Sequence, residues 1–152
     1  MSDPKLSVYS LRSLGRALRH PTAWLGRSIG AALRERIILR VSAVNRCYVC
    51  STLHGRVARH EGLSHADVAA ARAADASLDL RTRVALRFAE VRTVDLESEF
   101  PDDVAAFEHA FSAAEQAEVR AIVDLFTFNN RFNNTWEAVL PGAGKRRGKL
   151  GL

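Results

Sequence analysis

Apolar residues recur along most of the chain at the three- and four-residue spacing of α-helices, and no segment alternates as a β-strand does. The spacing predicts a helix over residues 8–19, a second short helix over residues 22–33 and a densely apolar, buried helix over residues 34–44. The most hydrophobic helix is predicted over residues 113–139, because apolar residues cover two of its faces. The pattern therefore predicts an all-α fold.

Short polar motifs mark the ends of the other predicted helices. Asn45 is a plausible N-cap for a helix that holds both cysteines and runs to about Glu61, with Gly62 directly after its end. Four further helix starts are marked by capping residues or by an N-terminal proline: Ser64, Asp79, Pro101 and Ser112.

The length of 152 residues fits one domain with a sizeable core. We divide the chain into an N-terminal helical segment (residues 1–33), a core domain (34–140) and a basic tail (141–152). Pro141 is expected to end the last helix, and the Gly/Lys/Arg-rich tail after it is expected to be disordered.

Composition and charge exclude several classes of protein. No apolar run approaches the roughly 20 residues that cross a bilayer, and residues 1–4 lack a signal-peptide pattern. We therefore expect a cytoplasmic protein with no membrane partner. The net charge of +5 comes from basic ends, whereas residues 41–140 are acidic. Because a nucleic-acid binder usually carries its basic surface on the folded part, we expect no nucleic-acid partner.

The two cysteines of the chain, Cys47 and Cys50, are spaced C-x-x-C, and His54 follows on the same predicted helix. A C-x-x-C pair without signs of secretion is typical of a redox dithiol. On one helix face His54 lies one turn from Cys50 and two turns from Cys47, so it can exchange a proton with Cys50. Glu35 lies on the preceding buried segment and can reach His54 if the chain turns at Asn45.

The spacing of these residues resembles a known motif. Glu35, eleven residues, Cys47, two residues, Cys50, three residues and His54 follow the pattern of AhpD-type alkylhydroperoxidases, in the carboxymuconolactone decarboxylase superfamily. Residues 80–90 and 125–134 are similar to two other helices of that family, and the resemblance covers roughly residues 33–140. It implies an all-α, single-domain AhpD-like helical bundle that forms homo-oligomers, either trimers or hexamers.

The resemblance also implies an activity and a role for each site residue. The protein is expected to be a thiol-dependent peroxidase with a hydroperoxide substrate, a dithiol or protein reductant, and no cofactor or metal. Cys50 would attack the peroxide, Cys47 would resolve the product as a disulfide, and Glu35 with His54 would relay protons. Active peroxidases of that family often carry a second histidine between the cysteines, where this chain has Val49.

Other interpretations of the same residues stay open. With the same fold, the protein would be a thiol–disulfide oxidoreductase, a redox sensor or a non-enzymatic oligomeric binding protein. Cys47 and Cys50 would alternatively be buried structural thiols, or ligands of a zinc site together with His54, although a fourth ligand is not evident.

Two further features predict contacts between helices or between subunits. Four asparagines on the last helix need hydrogen-bond partners if they are buried, and a polar wall of the active-site pocket is the functional alternative: Asn129, Asn130, Asn133 and Asn134. The two apolar faces of residues 113–139, together with the buried segment 34–44, predict a homo-oligomer because one small domain has limited core. The remaining histidines are expected at the surface or at helix caps: His20, His60, His65 and His109.

Overall fold

The computed structural model describes residues 3–25 and 27–139 of the chain. All regular structure in this part is α-helical, which confirms the predicted all-α class. No helix among these residues is long and apolar enough to cross a membrane. The basic tail and the expected helix stop at Pro141 lie outside the described residues.

The helices in chain order are α1 (Val8–Arg19), α2 (Pro21–Trp24), α3 (Ala31–Val44), α4 (Tyr48–His60), α5 (His65–Ala73), α6 (Leu80–Thr93), α7 (Pro101–Ala110) and α8 (Ala113–Glu137). Helix α3 is central, since it packs against α4, α5, α6 and α8. Helix α8 also packs along α1 and α2. Because α3 runs from residue 31, it spans the proposed boundary at residue 33, and the division of the chain there stays a prediction.

Capping residues start the helices where the sequence predicted them. Ser64 and Ser112 each form a complete capping box with the acidic residue three positions later. Asp79 accepts a hydrogen bond from the backbone N–H of Thr82 at the start of α6. Gly62, with a φ of 94°, follows the end of α4 as expected.

The short helix predicted over residues 22–33 is wrong. Helix α2 ends at Trp24 and α3 begins at Ala31, after Gly30. Gly30 has a φ of 75°, outside the helical region, so it separates the two helices instead of continuing one. The apolar spacing of residues 22–33 is therefore divided between α2 and the start of α3.

The predicted role of Asn45 is also wrong. Asn45 is the C-cap of α3, and its side-chain NH₂ group donates back to the carbonyl of Val41 at 3.1 Å. The N-cap of α4 is Cys47, whose sulfur accepts a hydrogen bond from the N–H of Cys50. The C-x-x-C therefore begins at the helix boundary instead of lying inside the helix.

The core lies between α3, α6, α7 and α8. The rings of Phe88 and Phe107 stack in it with centroids 3.9 Å apart. As predicted, the 34–44 segment is buried, since Ile37, Leu39 and Val41 are fully inaccessible to solvent. Not all of the apolar surface of α8 is buried. Near its C-terminal end two large apolar side chains are exposed: Phe132 and Trp136. The core thus fixes α3 and α8, the helices on either side of α4 and its cysteines.

Candidate active site

A tight turn between α3 and α4 places Cys47 next to the end of α3. The N–H of Cys47 donates to the carbonyl of Ser42 at 2.9 Å, and the N–H of Arg46 donates to the carbonyl of Ala43 at 3.0 Å. These two bonds form a Schellman motif in which Arg46, with a φ of 53°, occupies the left-handed position usually taken by glycine. The Arg46 side chain lies 3.3 Å from the carboxylate of Asp3. The turn folds α4 back along α3.

Three polar side chains of α8 hold this turn in place. Asn134 Nδ2 donates to the carbonyl of Asn45 at 2.6 Å, and Arg131 Nε donates to the Asn45 side-chain oxygen at 3.0 Å. Asn130 Nδ2 donates to Ser42 Oγ at 3.4 Å. The predicted helix–helix contact through the α8 asparagines is thereby confirmed for Asn130 and Asn134.

The two cysteines are free thiols and both are buried, Cys47 fully and Cys50 with 5% of its surface exposed. Cys50 N–H donates to Cys47 Sγ at 3.3 Å, and Asn133 Nδ2 donates to Cys50 Sγ, also at 3.3 Å. The two thiols and the Asn133 amide are therefore linked by hydrogen bonds at the start of α4.

The two thiols differ in how readily they ionise. Hydrogen bonding from Cys47 lowers the pKa of Cys50, and the Asn133 amide lowers it further, while burial opposes both. The pKa of Cys47 is raised well above its ordinary value because it shares its proton with Cys50 and is buried. Cys50 is thus the sulfur that ionises first. A pair of purely structural thiols would not need such a difference in pKa.

The predicted pair of Glu35 and His54 is brought together across α3 and α4. His54 Nδ1 lies 2.8 Å from Glu35 Oε2, and both side chains are largely shielded from solvent. The ring of Phe126 meets the imidazole edge-on, with centroids 4.9 Å apart. Because Glu35 occupies Nδ1, proton exchange with a thiol or a substrate is left to Nε2.

A mainly apolar cavity of about 300 Å³ lies beside this pair. It is lined by Leu25, Arg34, Glu35, Ile38, His54, Ile122, Leu125 and Phe126. The one cation in its wall, Arg34, is bound to the buried carboxylate of Glu118 at 2.5 Å. The cavity therefore suits an uncharged organic group next to the histidine.

Sequence reasoning did not assign two residues that face the dithiol. Asn133 was named only with three other asparagines, as a helix contact or a polar wall of the active-site pocket, without its contact to Cys50. Glu137, one turn further along α8, is 4% exposed, and its charge raises the pKa of both Cys47 and Cys50. The spacing of four positions between Asn133 and Glu137 was the available signal, since it places both on one face of α8.

The remaining candidate ligands do not assemble into a metal site in the described part of the chain. It contains no group of three or more His, Cys, Asp or Glu side chains placed to hold a metal ion. The zinc alternative therefore has no ligand set there. The other four histidines are exposed, as expected: His20, His60, His65 and His109.

Residues 15–91 match the model of the carboxymuconolactone decarboxylase family, over just over half of the chain. The chain belongs to this family. The matched range contains Glu35, both cysteines and His54, and so confirms the resemblance drawn from their spacing. The similarity expected for residues 125–134 lies outside the range that matches the carboxymuconolactone decarboxylase family. No curated protein and no solved structure matches the chain.

Proposed function

We propose that this member of the carboxymuconolactone decarboxylase family is an enzyme, a thiol-dependent peroxidase that reduces hydroperoxides through Cys47 and Cys50. The observation that carries the proposal is the 2.8 Å contact between Glu35 and His54, one helical turn from the more acidic thiol. Taking a carboxylate out of water is unfavourable unless it is paired, so packing gives no reason for Glu35 at this position. A proton relay with His54 gives such a reason.

In the first step the Cys50 thiolate attacks the terminal oxygen of the hydroperoxide. A sulfur–oxygen bond forms as the oxygen–oxygen bond breaks, so the sulfur is oxidised to a sulfenic acid and an alkoxide leaves. His54 gives the alkoxide a proton, and the product is an alcohol. Glu35 holds the imidazole by Nδ1, which orients Nε2 for this transfer.

In the second step the Cys47 thiol attacks Cys50 Sγ. The sulfur–sulfur bond forms, and the sulfenic hydroxyl leaves as water with the Cys47 proton. The side-chain hydrogen bond between the two cysteines, together with the Cys50 N–H that donates to Cys47 Sγ at 3.3 Å, supports this pairing. A dithiol, either a small molecule or a protein, then reduces the disulfide and restores both thiols.

The surroundings support an organic hydroperoxide and a reducing compartment. The apolar cavity of about 300 Å³ beside His54 has room for the organic group of a substrate. Since the cycle needs a steady supply of reduced dithiol, we propose the cytoplasm as its location. We also propose a homo-oligomer, because two large apolar side chains, Phe132 and Trp136, are exposed on α8.

The proposal is tested by mixing the purified, reduced protein with hydroperoxides that differ in the size of their organic group. We expect two thiols to be lost for each peroxide consumed, with an intramolecular disulfide detected by mass spectrometry. Val49→Ala, a change at the exposed position between the cysteines, serves as the control and should behave like the parent. Thiols that persist with every hydroperoxide would rule the peroxidase out.

A second candidate function is a thiol–disulfide oxidoreductase or redox sensor with the same dithiol. It is favoured by Val49 and Leu53, two exposed apolar side chains on α4 on either side of Cys50, which fit a protein surface better than a small peroxide. Faster reaction with a protein disulfide than with any hydroperoxide would establish it. Thiols that react with neither would leave the non-enzymatic binding protein.

A further inference from the structure

The Asn133 side chain touches the sulfur of Cys50, and the role of that contact follows from what else surrounds the two thiols. Asn133 Nδ2 lies 3.3 Å from Cys50 Sγ. The residue before Cys50 is Val49, whose side chain is apolar and exposed, so it offers the sulfur no hydrogen bond. An amide N–H donates at every pH, unlike an imidazole or a carboxyl group. It therefore favours the anionic form of the sulfur that it touches.

The position of Asn133 is fixed by its neighbours on α8. Asn134 donates to the carbonyl of Asn45 at 2.6 Å, and Asn130 donates to Ser42 Oγ at 3.4 Å. These bonds join α8 to the turn that leads into Cys47. The amide of Asn133 is therefore held against α4 by contacts on both sides of it along the helix.

The two sulfurs compete for the negative charge. Cys47 is the N-cap of α4 and accepts the Cys50 N–H, an arrangement that on its own favours a Cys47 thiolate. Cys50 gains the Cys47 thiol proton as a donor and has the Asn133 amide as a second donor. Without Asn133, the Cys50 thiolate keeps only the Cys47 thiol and its own backbone N–H as donors, and the preference for Cys50 weakens.

We propose that Asn133 is a catalytic residue that holds the Cys50 thiolate through its amide N–H and so makes Cys50, rather than Cys47, the attacking sulfur. The inference rests on the proposed thiol chemistry of this site and adds to it a residue from α8. It also gives Asn133 a function that the helix–helix contacts of Asn130 and Asn134 do not require of it.

Other charged groups also surround this pair of thiols. The buried carboxylate of Glu137 on α8 raises the pKa of both thiols. The Glu35–His54 pair lies across α3 and α4, and the Asp3–Arg46 pair lies beside the turn. Because all of these remain in an Asn133 variant, a change in the balance between the two sulfurs reports on the amide.

The first experiment measures the rate of Cys50 alkylation by iodoacetamide against pH in the Cys47→Ser background. Adding Asn133→Ala or Asn133→Leu should move the profile to higher pH and slow alkylation at neutral pH about tenfold, as expected for a lost hydrogen bond to a charged group. The matched control is Asn129→Ala, one turn earlier on α8, which should follow the parent profile. Unchanged profiles in both Asn133 variants would overturn the proposal.

The second experiment compares alkylation of the two thiols in the otherwise unchanged protein. Brief labelling should modify Cys50 in the parent and shift towards Cys47 in Asn133→Ala, as read from fragment ions of the peptide that carries both. Asn133→Leu, which has nearly the same shape and carries no charge, gives the same readout if the alanine variant unfolds. Labelling that stays on Cys50 in both variants would contradict the inference.

Neither experiment needs a peroxide, so each tests the role of Asn133 independently of the proposed peroxidase activity. If the protein consumes hydroperoxides, kcat/KM of Asn133→Ala should fall about tenfold at neutral pH and recover at high pH, where Cys50 ionises unaided. A loss that persists at high pH would show a structural role for Asn133 and would overturn the proposal. If no hydroperoxide is consumed while the alkylation profiles shift, the peroxidase is wrong and the hold of Asn133 on the thiolate stands.

Discussion

Cys47 and Cys50 are three residues apart, yet their surroundings give them different chemistry. Cys47 is the N-cap and is fully buried, whereas Cys50 touches an amide of α8 and retains some exposure. The lowered pKa of Cys50 and the raised pKa of Cys47 follow from those contacts. A default assignment of the nucleophile to the first cysteine of a C-x-x-C pair therefore does not suit this site.

Trapping the oxidised sulfur tests this assignment. Cys47→Ser should still react with a hydroperoxide and stop as a sulfenic acid on Cys50, because no second thiol is present to displace it. Cys50→Ser should be inert to the same peroxide. Mass spectrometry after labelling of the sulfenic acid distinguishes the variants. A sulfenic acid on Cys47 in the Cys50→Ser protein would show that the other sulfur attacks.

Glu35 and His54 are expected to act as one unit. Glu35→Gln and His54→Ala should each slow peroxide-dependent thiol loss, because the first removes the group that orients the imidazole and the second removes the proton donor. The double variant should lose little more than the slower single variant. Rates are compared by stopped-flow measurement of thiol loss, with circular dichroism to verify folding. Losses that multiply would mean two independent roles.

The residues of the site divide by how far apart they lie in the chain. Glu35, Cys47, Cys50 and His54 fall within 20 consecutive positions on two adjacent helices, so helical spacing and one turn between the helices bring them together. Asn133 meets Cys50 across a separation of 83 positions. That contact depends on how α8 packs against the α3–α4 turn. Spacing along the chain has no information about such packing.

Among the elements, α8 connects the core to the dithiol. Its N-terminal half is buried between α3 and α6, and its last turns carry the asparagines that bind the α3–α4 turn. Ser112 starts this helix with a capping box in which Glu115 accepts the Ser112 N–H at 2.9 Å. The start of α8 is thus well defined by its own sequence.

Removing this cap should destabilise the protein measurably. Ser112→Ala removes the hydroxyl that accepts the Glu115 N–H and should lower the free energy of unfolding by about 1 kcal/mol. Ser98→Ala, at an exposed serine between α6 and α7, is the control and should stay within about 0.5 kcal/mol of the parent. Urea denaturation followed by circular dichroism gives both values. Equal midpoints for the two variants would contradict the prediction.

The same cap makes stability depend on pH. The Ser112 N–H lowers the pKa of Glu115 below its ordinary value, and Arg81 adds to the effect. Since the carboxyl group is more acidic in the folded state, its contribution is complete above the unfolded pKa and is lost as the pH falls through the folded pKa. Glu115→Gln should therefore lose less stability than the parent between about pH 5 and about pH 3. Parallel curves would argue against this role of the cap.

Local motifs predicted the helix starts at Ser64 and Ser112 and the stop at Gly62, but not the break at Gly30 or the turn between α3 and α4. The capping boxes at Ser64 and Ser112 specify their helices by their own hydrogen bonds. The break at Gly30 and the left-handed Arg46 depend on how α3 packs against its neighbours. The left-handed position of Arg46 is usually taken by glycine, so the arginine there did not signal a turn.

At the scale of the whole molecule, the core accounts for only part of the apolar surface. The apolar side chains of residues 34–44 are buried within the chain, so they do not require a second subunit. The exposed apolar side chains near the end of α8 still favour a homo-oligomer. Trp136 is 65% exposed and Phe132 is 48% exposed, and both flank Asn133 along the helix. The exposed side chains of Val49 and Leu53 lie on the helix that carries Cys50.

These side chains predict that the protein assembles through the surface around its dithiol. Light scattering at micromolar concentration should give a multiple of the 16.7 kDa chain, with a trimer or a hexamer expected. Trp136→Glu with Phe132→Asp should shift the mass towards the monomer, because a charge in an apolar interface is costly to bury. Leu80→Glu, at an equally exposed leucine on α6, is the control and should leave the mass unchanged. A monomer for the parent chain would refute the assembly and would leave Cys50 beside an exposed apolar face that larger protein disulfides can reach.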